Sequence, residues 1–213
     1  MSDSSSVPVD FVLNFSTAAL HAWNGLSLFL IVFISWFISG LTQAKTKMDR
    51  VVLCWWALTG LIHVFQEGYY VFTPDLFKDD SPNFMAEIWK EYSKGDSRYA
   101  TRHTSVLTIE SMASVVLGPL SLLAAYALAK AKSYNYILQF GVSIAQLYGA
   151  CLYFLSAFLE GDNFASSPYF YWAYYVGQSS IWVIVPALIA IRCWKKINAI
   201  CYLQDKKNKT KVR

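Results

Sequence analysis

His63 and Glu67 stand four residues apart, with Gln66 between them. On a helix that spacing puts the imidazole and the carboxyl group on one face, a turn from each other. The stretch around them, Val51 to Thr73 (VVLCWWALTGLIHVFQEGYYVFT), is apolar and aromatic and long enough to cross a bilayer as a helix. A second carboxyl group, Glu110, sits in another apolar stretch. Ionisable groups at hydrocarbon depth are expensive and need a partner or a task. A lone pair could merely glue one helix to the next. Two acids and a histidine point instead to a site. A carboxyl group kept from water holds its proton firmly and can act as a general acid, and an imidazole can shuttle or orient that proton. Trp55, Trp56, Tyr69, Tyr70, Tyr148, Tyr153, Trp172, Tyr174 and Trp182 surround these positions in sequence. Most such aromatics belong to cores or interfacial belts. Aromatic faces combined with carboxylates also stabilise positive charge. From residue types alone, this is a membrane site that protonates or binds a lipophilic, cationic ligand.

The elements that must position this site are membrane helices. Of the 213 residues, 55% are hydrophobic, 17% aromatic and 15% charged, whereas a soluble domain carries about 25% charged residues. Mean hydropathy is +0.34. The net charge of +4 comes largely from the C-terminal tail and implies no nucleic-acid partner. Cys54, Cys151, Cys193 and Cys201 lie in or beside apolar segments without metal-ligand spacing, so they read as small hydrophobes, and no metal is expected. The start, MSDSSSVPVDF, lacks the basic region of a cleavable signal peptide.

The expected architecture is all-α: a polar lead-in (1–18), one transmembrane domain of five helices (19–196) and a basic tail (197–213). Span one runs from about Leu20 to Leu41, with His21 and Asn24 near its end, within reach of water or headgroups. Span two is the stretch holding His63. The long loop 74–103 contains Ser81-Pro82, which reads as a helix start for an amphipathic run to about Tyr92. Its charges interleave with Trp89, Tyr92 and Tyr99, which suits a lid over a membrane-facing mouth. Span three, Thr104 to Ala129, should kink at Gly118-Pro119. Span four, Tyr136 to Leu159, carries Gln139, Ser143, Gln146 and Tyr153. Its small residues Gly141, Ala145 and Gly149 recur every four positions, which permits close helix contact. Span five runs from about Tyr169 to Trp194 with Gln178, Ser179 and Trp182. Lys and Arg cluster after spans one, three and five, which puts the N-terminus in the lumen and the C-terminus in the cytosol. The five basic residues of the 74–103 loop run against that pattern.

HVFQEGYYVF, WKEYSKGDSRY, TIESMASVVLGPLSLLAAYA, QLYGACLYFL and YYVGQSSIWVIVP together resemble the emopamil-binding protein family, the sterol Δ8–Δ7 isomerases of the endoplasmic reticulum. EGDNFA and RCWKKI resemble its plant members most. The resemblance implies five membrane helices around a lipid-accessible cavity, a reaction in which a double bond is protonated and a different proton leaves the carbocation, and no cofactor. It also implies amine-drug ligands that mimic the cation, and leaves a homodimer open. By motif, His63 and Glu67 fall on the family's proton-delivering pair, Glu110 on its span-three acid, and Trp182 on the tryptophan that covers the cation. Gln178, Ser179, Ala113, Tyr70 and Tyr153 are expected to line the substrate site.

Two positions depart from the family pattern. Ala113 stands where sterol isomerases carry Thr, and Ser179 where they carry Asn. The N-terminal segment also lacks the expected His-Pro-Tyr. Retained acid with lost polar positioning favours a related reaction on a different polycyclic substrate, as in plant paralogues recruited to limonoid biosynthesis, which open a triterpenoid epoxide and steer the cation into a methyl shift or a cyclopropane. The housekeeping sterol isomerase is the alternative. A non-catalytic sterol or amine sensor is the alternative of another class, but it has no need of three proton-handling groups. A transporter would show internal repeats, and none is visible.

Overall fold

The computed structural model describes residues 17–78 and 83–211. Its helices are α1 (Thr17–Ser39), α2 (Lys47–Phe72), a short α3 (Phe84–Tyr92), α4 (Thr104–Ala129), α5 (Asn135–Leu159) and α6 (Pro168–Thr210). All but α3 are long and apolar enough to cross a membrane. The chain is thus a multi-pass, all-α membrane protein. The helix of span five continues as exposed helix through the basic tail. The polar lead-in up to residue 16 and the Ser81-Pro82 helix start lie outside the described residues. Within them, α3 is capped by Asn83, whose side chain accepts from the backbone N–H groups of Met85 and Ala86 at 3.0 and 3.4 Å.

Polar residues at the helix ends clip the bundle together. Thr46 and Asp49 form a reciprocal capping box at the start of α2, and Asp49 also pairs with Arg192 of α6. Arg50 donates to Trp36 O at 2.8 Å and Ser39 Oγ at 2.9 Å, closing the end of α1. Arg102, in the left-handed region at φ 49°, donates to the carbonyls of Tyr70 and Val71 at 2.7 and 2.9 Å, where α2 runs out of its own donors.

Three helices contain wide, π-type turns: Ile62–Glu67 in α2, Ala113–Leu117 in α4 and Tyr171–Gln178 in α6. In α2 the Gly68 N–H donates to His63 O, five residues back. In α4 the Gly118 N–H likewise reaches Ala113 O. The Gly118-Pro119 interruption therefore takes the form of a widened turn, which accommodates a proline that offers no N–H. Gly118 is also needed for close approach, because a Cβ there would lie 3.1 Å from His63 Cβ and 2.7 Å from Val64 Cγ2. The spacing of Gly141, Ala145 and Gly149 is not used in this way: nothing lies within 4 Å of a Cβ built at Gly141 or Gly149.

The 83–103 segment is packed into the bundle rather than solvated. Asp96 and Arg98 are each 1% exposed. Arg98 donates to both Asp96 carboxylate oxygens and to Ser156 Oγ on α5, and Tyr153 OH donates to Asp96 Oδ2 at 2.8 Å. Trp89 and Tyr99 belong to a core cluster with Tyr70, Val106, Tyr153 and Tyr175. The loop is a wedge driven between the ends of α2, α4, α5 and α6. All four cysteines are free thiols, with Cys54 and Cys193 buried.

Candidate active site

The wide turn of α2 carries His63 and Glu67, with Nδ1 and Oε2 2.6 Å apart. Both are buried. On the other side of the ring, Gln146 of α5 brings its Nε2 to 3.1 Å from His63 Nε2. With the ring proton on Nδ1, Nε2 accepts from the Gln146 amide; with it on Nε2, Nδ1 accepts from a protonated Glu67 instead. Trp182 of α6 stacks on the imidazole at 4.8 Å between centroids and 29° between planes, and Trp55 packs on Trp182. Three helices therefore hold one histidine ring, from its two nitrogens and one face.

Glu110 lies on α4, in the turn before the π segment. Its Oε1 accepts from Tyr99 OH at 2.6 Å, and its carboxyl interacts with that of Glu67. Tyr99 comes from the wedge. Burial and the facing Glu110 push its phenol well above the ordinary tyrosine value, so it stays a donor to the acid. Burial also pushes up Tyr92, against the opposing effect of its contact with Ser179; the two hydroxyl oxygens are 3.3 Å apart.

These groups border one cavity of about 520 Å³, mostly apolar in lining, the size and character of a site for a compact lipophilic molecule. His63, Glu67, Glu110, Trp182, Gln178, Ser179, Ala113 and Tyr153 all line it. Tyr153 contributes its ring, since its hydroxyl is given to Asp96. Tyr70 is not brought there: it is fully buried behind the wedge and donates to Tyr99 O at 3.3 Å. Ala145 and Gly149 form cavity wall, which is where the small-residue spacing of α5 is spent. His21 and Asn24, expected to meet water or headgroups, also border the cavity, with His21 Nε2 2.8 Å from Tyr174 OH. Among the described residues, no group of three or more His, Cys, Asp or Glu could hold a metal ion.

Gln146, Tyr99 and Tyr92 stand at the site although their residue types and spacing do not assign them to it. Gln146 was visible as a polar residue within a span, but its histidine partner is 83 positions away. Tyr99 was visible in a charged loop, where nothing local marks it as a partner of Glu110.

Residues 84–193 match the family model described as EXPERA (EXPanded EBP superfamily). An isomeliandiol synthase from Ailanthus altissima is 76% identical over 208 residues, covering 98% of each chain. A protoglabretal synthase from Citrus sinensis is 77% identical over 205 residues, 96% of this chain and 97% of its own. A probable 3-beta-hydroxysteroid-Delta(8),Delta(7)-isomerase from Arabidopsis thaliana is 49% identical over 207 residues, 97% and 90% of the two chains.

Proposed function

The chain belongs to the EXPERA superfamily, and we propose that it is an intramembrane isomerase, working without a cofactor, that rearranges an epoxy-triterpenoid through a carbocation. The observation that carries this reading is the meeting of His63, Glu67, Glu110 and Trp182 at one apolar cavity. Similarity favours the recruited enzyme over the sterol isomerase: identity is 76% and 77% to the two synthases against 49% to the Arabidopsis protein.

In the proposed reaction Glu67 enters protonated against Nδ1 of the neutral His63 ring, and the pair delivers that proton to the epoxide oxygen. The C–O bond breaks, its electron pair stays on oxygen as a hydroxyl, and carbon is left positive. A methyl shift or cyclopropane closure moves the charge, and loss of a C–H proton to Glu110 or Glu67 leaves a product of unchanged mass. Trp182, at the imidazole, offers its π face to the cation. Tyr99 fixes the orientation of the Glu110 carboxyl. Ala113 gives the cation's neighbourhood no hydrogen bond, and Ser179 shares its hydroxyl with Tyr92, so fewer polar groups pin the substrate than the family's Thr and Asn would.

The same carboxyls and indole would hold an amine that mimics the cation. We propose the endoplasmic reticulum membrane as its location, on the resemblance to the sterol isomerases, with the N-terminus lumenal and the C-terminus cytosolic, an orientation that the distribution of Lys and Arg supports. Expression in yeast lacking its own Δ8–Δ7 isomerase tests the choice of substrate. The expected result is accumulated protein without restored Δ7-sterols, and a new isomer when an epoxy-triterpenoid is fed. Full restoration of Δ7-sterols with the epoxide untouched would make it the housekeeping enzyme.

A further inference from the structure

The hydroxyls of Thr59, Ser121 and Ser143 and the Oε1 of Gln146 have no hydrogen-bond partner among the described residues. Thr59, Ser121 and Ser143 are 0% exposed and Gln146 is 5% exposed. Serines and threonines in helices ordinarily satisfy themselves on a carbonyl of the preceding turn. Ser111 does so, donating to Leu107 O at 2.6 Å. The three lone hydroxyls do not, although an unpaired buried hydroxyl is costly.

They come from three helices, at register positions about one turn from the His63 level. Thr59 is one turn before His63 on α2, and Ser143 lies three positions before Gln146 on α5. Ser121 lies three positions after Gly118 on α4, and Gly118 abuts His63. One layer further along, Trp56 Nε1 donates to Gln139 Oε1 at 3.0 Å, and Gln139 Nε2 donates to Asn135 at the start of α5. The hydroxyls thus lie between the His63–Gln146 layer and the Trp56–Gln139 layer. A buried polar site with several convergent partners is the kind that ordered water fills.

We propose that Thr59, Ser121, Ser143 and Gln146 hold buried water beneath His63, and that this hydrated layer connects His63 to the Gln139–Asn135 end of the bundle. The inference rests on the isomerase reading. That reaction takes up one proton and releases one, so it consumes none. If the group that gives the proton is not the group that receives it, the site must be reset between turnovers. An apolar polycycle in the cavity shuts water out from that side. Thr59 and Gln146 also line the cavity, so the layer meets His63 at the cavity wall and leads away from it through Ser121 and Ser143.

The test is the Ser121→Ala/Ser143→Ala double variant of the full chain, because neither serine lines the cavity. Two readouts are taken on purified protein: the thermal unfolding midpoint, and the rate of the first turnover against the steady-state rate. A hydrated proton route predicts a lowered midpoint, with a first turnover near wild type and a steady state slowed severalfold. A raised midpoint means the layer is dry, since lone hydroxyls have been removed, and overturns the proposal. A lowered midpoint with unchanged steady state leaves water there but overturns its role as a route. If the wild type isomerises neither an epoxy-triterpenoid nor a Δ8-sterol, the isomerase reading fails and the route falls with it. The unfolding midpoint still decides the hydration.

Discussion

The two ends of the bundle are built in opposite ways. At one end Leu53, Trp56, Ala124, Leu128, Val142, Ile189 and Cys193 pack as an ordinary apolar core between regular helices. At the other, α2, α4 and α6 each open into a π turn, and the space between them is the cavity. There the core is aromatic and hydrogen-bonded, and much of it comes from the 83–103 wedge. One end is a clamp of apolar shape around one buried polar layer, Trp56–Gln139–Asn135. The other gives up regular helix packing to place His63, Glu67, Ala113 and Gln178, and recovers stability through the buried Asp96–Arg98 pair and its tyrosine. The candidate site sits where the packing is least regular, and π turns are frequent at functional sites.

Substitutions at the two ends should therefore separate turnover from stability. The largest effect is expected for Glu110→Gln: turnover falls roughly a hundredfold to ten-thousandfold, with the unfolding midpoint little changed, in a rate assay on purified protein. Next is Arg98→Ala, which strands the buried Asp96 carboxylate and costs about 3–5 kcal/mol of stability, read in thermal or denaturant unfolding. Gly118→Ala pushes a methyl group against His63 and Val64 and costs about 1–3 kcal/mol; unlike a clamp variant, it should also lower kcat. Val142→Ala, in the clamp, costs about 1–2 kcal/mol and leaves kcat per folded molecule unchanged. A fall in kcat for Val142→Ala would break the division. The smallest effect concerns alkali. Burial raises the Tyr92 and Tyr99 phenols above their ordinary value, so the fold favours the protonated form. That contribution is complete below the ordinary tyrosine range and is lost as pH climbs through the raised value. Tyr99→Phe should flatten part of that alkaline loss in a stability-against-pH series.

The helices were largely legible because lipid demands long apolar runs: the expected span of Thr104 to Ala129 is the α4 found. His63 and Glu67 were legible because a four-residue spacing already fixes their contact. Glu110 was legible because a carboxyl group in an apolar run is rare. Trp182 was singled out by resemblance rather than by pattern. The rest depends on contacts distant in sequence. Gln146 meets His63 across 83 positions. Asp96 and Arg98 belong to a charged loop, and nothing local shows that Tyr153 and Ser156 draw them inside. Tyr70 lies in the same helix as Glu67 but packs behind the wedge, and no local rule separates it from a cavity residue.

The most direct test of the account is incubation of the purified enzyme and its Glu110→Gln variant with an epoxy-triterpenoid, the products being resolved by chromatography and mass spectrometry. The account predicts a product of unchanged mass and new retention time from the wild type, and almost none from the variant. No isomer from the wild type, or equal amounts from both, would contradict it.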